Sequence, residues 1–399
     1  MGRLTRAELQ ARNRAKVLAA ALDEFAERGF RDAKVDAIAD RAGLTRGAVY
    51  SNFPGKRALY FSVLAGLAER AAGPDGLWRS SSASGETPAG EAADAETNHA
   101  ETNHAETNYA VTHGAGTVGS GTLGAATAGE ALAAFARAWV SRLPLATDGP
   151  GRLGMDLMSE VLADQRVRQP FAQLMKLNAI VLGLALERLD GNTSARRRVR
   201  IAETALTTLH GASQMADAAP GFAEPFDIVA ACAALADLDL RDRWDPPHLP
   251  FAPRARPADE PWSPPLAVDA VRGEPASLAR DGVVAVLGLN RLEAVEEAVR
   301  ATPPGDEVTA VLVTGDPGEL GPLARLALAD VRACLRQALP EAAWPRLRVV
   351  HDDEGAVAAA AGVTAVSDGT EAAVRVRSGR VVARADGYGA CHAAASAEP

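Results

Sequence analysis

The stretch IADRAGLTRGAVYSNFPGKRAL runs from Ile38 to Leu59. It reads as two short helices around a glycine-bearing turn. Ile38 and Ala39 supply the buried side of the first helix. Gly43 falls where the chain must reverse, and glycine tolerates the positive φ that a tight turn often needs. Thr45 offers a hydroxyl to cap the second helix. That helix is short and carries Arg46, Tyr50, Ser51 and Asn52. Side chains of this kind make a poor core element and a good major-groove reader, so the stretch predicts a helix-turn-helix.

Upstream, Leu18, Leu22, Phe25 and Ala26 recur at helical spacing and predict one apolar face of a long helix. Residues 1–70 carry a net charge of +5, whereas the whole chain is −9, which leaves −14 on residues 71–399. A basic head on an acidic body suits a single nucleic-acid contact surface.

The pieces AKVLAAALDEFAERGF (Ala15–Phe30), IADRAGLTRGAVYSNF (Ile38–Phe53) and GKRALYFSVL (Gly55–Leu64) stand in fixed order. Together they resemble the DNA-binding domain of the TetR family of bacterial transcriptional regulators. Four linked features carry the resemblance: an amphipathic helix ending at Gly29-Phe30, an IA-x-x-AG turn, a GxxY helix, and F-x-x-K before a further apolar helix. The resemblance implies an all-α head at 11–71 and an all-α ligand-binding and dimerisation domain behind it. It implies that Tyr50 and Lys56 touch phosphates, which fix register without reading sequence. Arg46 is then the candidate for a guanine edge, and phosphate contact is its alternative. Ser51 and Asn52 can reach a phosphate or a base, while Gly47 and Ala48 keep the helix slim. Tyr50 packing inward against Phe53 is the competing arrangement. One departure is visible: where the family carries a threonine before the Ile-Ala helix, this chain has Lys34. Lysine cannot accept the amide hydrogen bond of a cap, though it can meet a phosphate as a point charge.

A chain of 399 residues predicts two or three domains. Cys232, Cys334 and Cys391 are odd in number and far apart. They form neither a metal spacing nor a disulfide framework, in keeping with a reducing cytoplasm. No secretory leader and no membrane span are expected, and the expected location is cytoplasmic, at the nucleoid. No cofactor is expected.

From Ala71 the composition changes. No Lys or Arg occurs between Ser80 and Ala134, and a five-residue repeat, ETNHA-ETNHA-ETNYA, fills Glu96–Ala110. So few large apolar residues predict a disordered insertion at 72–129. His99, His104 and His113 within it are clustered, but their spacing does not stack them on a helix face. Helical periodicity resumes at Ala131–Leu143, Gly154–Ala163, Val167–Leu189, Arg196–Ala218 and Pro225–Asp239. These make an all-α domain at 130–244. The resemblance implies that Val167–Leu189 and Arg196–Ala218 build a four-helix bundle with a second copy. The face Leu206, Leu209, His210 and Ser213 with Gly211 is small enough for that, or else packs within one subunit. A pocket for a small-molecule effector is implied, with Phe135, Trp139, Met155, Met158, Phe171 and Met175 as candidates; methionine suits adaptable pockets.

Residues 245–265 hold eight prolines, and 245–270 is expected to be a semi-rigid linker. Strands are expected at Asp281–Leu289, Glu307–Gly315, Leu347–His351, Glu371–Arg377 and Gly379–Ala385, with helices between the first four. This predicts an α/β domain at 271–390 whose order resembles a thioredoxin-like domain, without a C-x-x-C. The leading expectation is a homodimeric, ligand-responsive repressor that is not an enzyme and binds a near-palindromic double-stranded DNA operator. The alternatives are a DNA-tethered enzyme or a partner-docking protein acting through the α/β domain.

Overall fold

A computed structural model describes residues 5–71, 127–143, 153–190, 196–245 and 254–397. The expected insertion, its repeat and its three histidines lie outside the described residues, apart from 127–129. The head comprises α1 (Arg6–Asp32), α2 (Val35–Ala42), α3 (Arg46–Tyr50) and α4 (Lys56–Ala71). Helix α1 starts in a capping box between Thr5 and Glu8 and is interrupted at Gly29, whose φ of 72° is open to glycine. The buried stripe of α1 is Val17, Ala20, Ala21, Glu24 and Phe25. Leu18 and Leu22 stand at its margin and Ala26 is exposed. Phe25, Leu18 and Leu22 of the expected face thus meet the core, whereas Ala26 does not and Glu24 is added to the buried stripe. The buried Glu24 is paired with Arg28 of the same helix at 3.3 Å and with Arg41 of α2 at 3.2 Å.

The helical body follows: α5 (Ala128–Val140), α6 (Leu157–Ala163), α7 (Gln165–Leu189), α8 (Val199–Ala218) and α9 (Pro225–Leu235). A second capping box, Thr127 with Glu130, starts α5. Helices α7 and α8 approach closely at Gly183, where a Cβ would lie 2.8 Å from the Cα of Val199. From Leu177 to Leu186 every residue of α7 is buried within the one chain. Leu206 and Leu209 are likewise buried within it, so part of the surface expected to meet a second copy is already covered.

The C-terminal part is a mixed sheet in the order β1-β8-β7-β4-β5-β6. Its strands are β1 (Arg256–Pro261), β4 (Gly282–Gly288), β5 (Glu307–Val313), β6 (Leu347–His351), β7 (Glu371–Arg377) and β8 (Arg380–Asp386), and β2 (Ala267–Asp269) with β3 (Glu274–Ala276) forms a separate small ribbon. Strands β4, β5 and β6 are parallel, and β7 runs antiparallel to β4. The helices are α10 (Ala294–Ala301), α11 (Leu320–Ala338), α12 (Ala356–Ala360) and α13 (Ala390–Ala395). The β7–β8 turn falls at Ser378-Gly379 as expected, with φ of 48° and 73°.

Two features differ from the linker-and-domain expectation. The proline-rich stretch contributes β1 to the sheet edge, where proline's missing donor is tolerated. Moreover, one face of the sheet, including Val283, Ala285 and Leu287, shares a continuous core with the head and helical body. Helix α11 makes that junction: it packs against α4, α5 and α7 at once. The opposite face, with Val284, Val286 and Trp262, forms a smaller core under α12.

Candidate nucleic-acid interface and cavity

Gly43 ends α2 in the left-handed region at φ 64°, and its amide closes the turn onto the carbonyls of Ala39 and Asp40. The Thr45 hydroxyl accepts from the Ala48 amide at 3.2 Å and starts α3. Val49 is the one buried residue of α3. Its anchoring turns Thr45, Arg46, Gly47, Tyr50 and Ser51 to solvent. Tyr50 is 41% exposed, so it stands outward rather than against Phe53. Arg46 lies over the Tyr50 ring at 5.5 Å and pairs with Asp36 of α2 at 3.3 Å. A Cβ at Gly47 would meet only Thr45 Oγ1, at 3.9 Å, which leaves the α3 backbone open to close approach.

The other candidates are more occupied. The Ser51 hydroxyl donates to the Ala48 carbonyl at 2.9 Å, and the Asn52 amide donates to the same carbonyl at 2.8 Å. Ala48 is thus partly covered, and its carbonyl is taken up by both. The Lys56 ammonium donates to the Arg31 carbonyl at 3.0 Å and lies 4.6 Å over Phe30. Burial lowers its pKa, with Glu160, Asp32 and Asp156 opposing that shift. Lys34 starts α2 without a side-chain cap; its amide instead donates to buried Glu24 at 3.4 Å, and its side chain is exposed.

Two arginines were not singled out by the sequence pattern. Arg14 donates to the Asn52 carbonyl at 3.0 Å and covers Phe53 at 4.3 Å, bracing the end of α3 against α1. Arg57, in the first turn of α4, bonds Glu319 at 2.7 Å and Asp164 at 2.8 Å. It therefore ties the head to the starts of α7 and α11. Such partners lie 107 and 262 residues away, and no local pattern encodes them.

A cavity of about 520 Å³ opens between α4, α5, α6, α7, α8 and α11. Trp139, Met158, Phe171 and Met175 line it as expected. Phe135 is wholly buried in the core instead, stacked on Trp139, because α5 turns it toward the interior. Met155 is 41% exposed just before α6 and does not line the cavity. Trp139 donates to Ser213 at 3.0 Å and meets His210 edge-on. Burial pushes the His210 imidazole down to about 4. The cysteines are all buried, and burial pushes Cys232 up to about 11 and Cys334 up to about 12. Thiols so placed are poor nucleophiles. Among the described residues no helix is long and apolar enough to cross a membrane.

Residues 17–63 match the family model described as "Bacterial regulatory proteins, tetR family". Over 65 residues the chain is 46% identical to the HTH-type transcriptional regulator SrpR of Pseudomonas putida, which spans 16% of this chain and 30% of that protein. The same identity over 65 residues holds for the uncharacterized HTH-type transcriptional regulator TtgW, also of Pseudomonas putida, spanning 16% of this chain and 48% of the relative. The HTH-type transcriptional activator FasR of Mycolicibacterium smegmatis is 43% identical over 51 residues, 13% of this chain and 23% of its own. The chain thus matches less than half the length of these curated relatives. A solved structure of the fatty acid degradation regulator FadR from Bacillus halodurans aligns over 56% of this chain and 99% of that chain, at 13% identity and a TM-score of 0.27. The capped, outward-facing α3 thus lies inside the segment, residues 17–63, that matches the tetR family model, and the head of this chain is similar to the helix-turn-helix part of those regulators.

Proposed function

We propose that the chain is a ligand-responsive transcriptional regulator, acting as a homodimeric repressor on a near-palindromic operator. The observation that carries this reading is the face of α3: one buried anchor, Val49, and a solvent row of Thr45, Arg46, Gly47 and Tyr50. A helix held this way enters a major groove, with Arg46 as the base reader and Tyr50, Lys34 and Lys56 toward phosphates. Ser51 and Asn52 join the contact once their bonds to Ala48 are exchanged. Asp36 holds Arg46 in the free head and would release it to a guanine, so Arg46 reaches DNA pre-aimed.

Because α7 is enclosed, the second copy docks on the outer side of α8 and α9. Thr207, Gly211, Met215 and Phe226 are exposed there. The effector occupies the cavity beside Trp139 and acts by favouring one of two head spacings. The α/β part catalyses no reaction; the neighbouring strands β5-β4-β7-β8, with α13 following, support reading it as thioredoxin-like without the dithiol. The protein works in the cytoplasm, at the nucleoid.

The test is selection of duplexes from a random library by the purified chain, followed by gel-shift assay. An inverted repeat is expected, and Arg46→Ala with Tyr50→Ala should abolish retention while sizing still returns a dimer. Retention undiminished in the double variant would overturn the DNA interface, and a monomer under all conditions would overturn the dimer.

A further inference from the structure

Asp36 is the acidic residue in the first turn of α2, and its side chain is 65% exposed. It stands on the surface that α3 presents. Its Oδ2 lies 3.3 Å from Nη1 of Arg46, the first residue of α3, and the Arg46 guanidinium lies 5.5 Å from the centre of the Tyr50 ring. Asp36, Arg46 and Tyr50 thus form one exposed row across the seam between α2 and α3. Gly47, next to Arg46, has no side chain to hold a partner away, and a Cβ there would meet only Thr45 Oγ1, at 3.9 Å. Base edges that approach α3 therefore come close to the Asp36 carboxylate. Among the described residues Asp36 has no ion-pair partner besides Arg46.

A carboxylate placed there works against DNA binding unless something answers it. Phosphates repel it, and an ionised group enclosed without a partner is costly. In the free head Arg46 is that partner. A guanidinium that forks onto O6 and N7 of a guanine spends its donors on the base and turns away from Asp36. An ionised carboxylate accepts and cannot donate, so the base beside it must donate. In the major groove guanine shows two acceptors, and thymine shows an acceptor and a methyl group. Adenine sets its N6 amino group beside the acceptor N7, whereas cytosine shows the N4 amino group with no acceptor on that edge. Cytosine is therefore the base that best answers a carboxylate.

We infer that Asp36 is a second base-reading residue, outside the recognition helix, which accepts from the N4 amino group of a cytosine next to the guanine taken by Arg46. This rests on the DNA-binding reading above and names the base chemistry of that same site. Each half-site then carries a guanine and a cytosine at neighbouring positions, and Asp36 rejects guanine and thymine at the second of them by repulsion. A carboxylate in the first turn also favours the α2 dipole, at a helix start where Lys34 supplies no side-chain cap. That structural role changes the stability of the head and leaves its base preference untouched, so the two are separable by measurement.

The experiment repeats duplex selection with the full chain as wild type, Asp36→Ala and Asp36→Asn, at one salt concentration. Gel shifts then compare all four base pairs at each half-site position. Circular dichroism checks that the variants fold, which the exposure of Asp36 favours. At one position next to a selected guanine the wild type should prefer cytosine over guanine or thymine at least about fivefold, and both variants should cut that ratio below about twofold while the guanine is kept. The asparagine variant matters because its amide donates as well as accepts and so tolerates the acceptor bases. An unchanged cytosine preference in both variants, or a uniform loss of affinity at every sequence, overturns the inference and leaves the DNA-binding reading standing. Adenine or thymine selected at the position that Asp36→Ala frees overturns the cytosine assignment. Failure of the wild type to select any sequence overturns the DNA-binding reading and this inference with it.

Discussion

Truncating Glu296 should loosen the α/β part from the helical body. Glu296 is 7% exposed and sits between two arginines. Arg197 donates to it at 2.6 and 2.5 Å, and Arg300 at 3.3 and 3.2 Å. Arg197 belongs to the segment entering α8, whereas Glu296 and Arg300 lie on α10. Arg300 also bonds Glu187 at the end of α7, at 2.6 and 2.7 Å, and Arg197 also bonds Asp242. The network thus spans both parts. Removing one member of a buried ion pair typically costs about 3–5 kcal/mol, because the partner charge stays buried. Here each arginine keeps a second carboxylate, so Glu296→Ala should cost ~3 kcal/mol, at the lower end of that range. Urea unfolding of Glu296→Ala, Arg197→Ala and the double variant supplies the cycle, and a coupling energy of ~2 kcal/mol is expected for side chains in direct contact. Burial alone would raise the Glu296 carboxyl, but the hydrogen bonds and charges of Arg197 and Arg300 outweigh it and lower the pKa. The contribution is therefore present above the unfolded value of about 4.3 and lost as pH falls through the lowered one. A coupling energy under ~0.5 kcal/mol, the noise of independent sites, would refute the reasoning.

Further outcomes are expected. Gly282→Ala should disrupt the α/β part, since φ is 153° and a Cβ would lie 1.9 Å from the Glu307 carbonyl oxygen on the parallel neighbour; far-UV circular dichroism and sizing would expose a variant that folds normally. His210 and His351 are both pushed down to about 4, chiefly by burial. Between an unfolded value of about 6.5 and 4 the unfolded chain takes up protons that the folded chain refuses, so stability is full above that window and falls as pH drops through it. His210→Gln combined with His351→Asn should flatten the dependence of the urea midpoint on pH over this range; an unchanged slope would speak against the burial argument. Lys56→Gln should lower both DNA retention and the head's melting temperature, because the ammonium also holds the Arg31 carbonyl; a loss of retention alone would restrict Lys56 to DNA.

The head was legible because its signals are local. Glycine at a left-handed turn, threonine at a cap and a short polar helix act within a few residues, and Gly43 and Thr45 sit as that logic requires. Five of the six strands of the sheet were legible for the same reason, as apolar runs bounded by turns. On α1, Phe25 is buried and Leu18 and Leu22 pack against the core as the spacing implied, but Glu24, polar by composition, joins the buried stripe through Arg28 of the same helix and Arg41 of α2, which spacing alone does not show. Among the pocket candidates, helical spacing could not separate Phe135 from Trp139, since both lie on the apolar side of α5; only the packing of α8 and α11 decided which ring faced a void. The proline count suggested a spacer, yet β1 pairs with β8 at an edge that a linear reading cannot see.

The sequence by itself determined a helix-turn-helix, an all-α body and an α/β part, since each follows from periodicities and caps that act over short stretches of chain. Only the tertiary structure decided that these are not beads on a string. Arg57 joins Glu319, Arg142 joins Asp330 and Arg197 joins Glu296 across separations of 262, 188 and 99 residues. Ion pairs of that range, and the burial of α11 against three helices of the other parts, depend on where whole elements come to rest, which no local pattern of residues specifies.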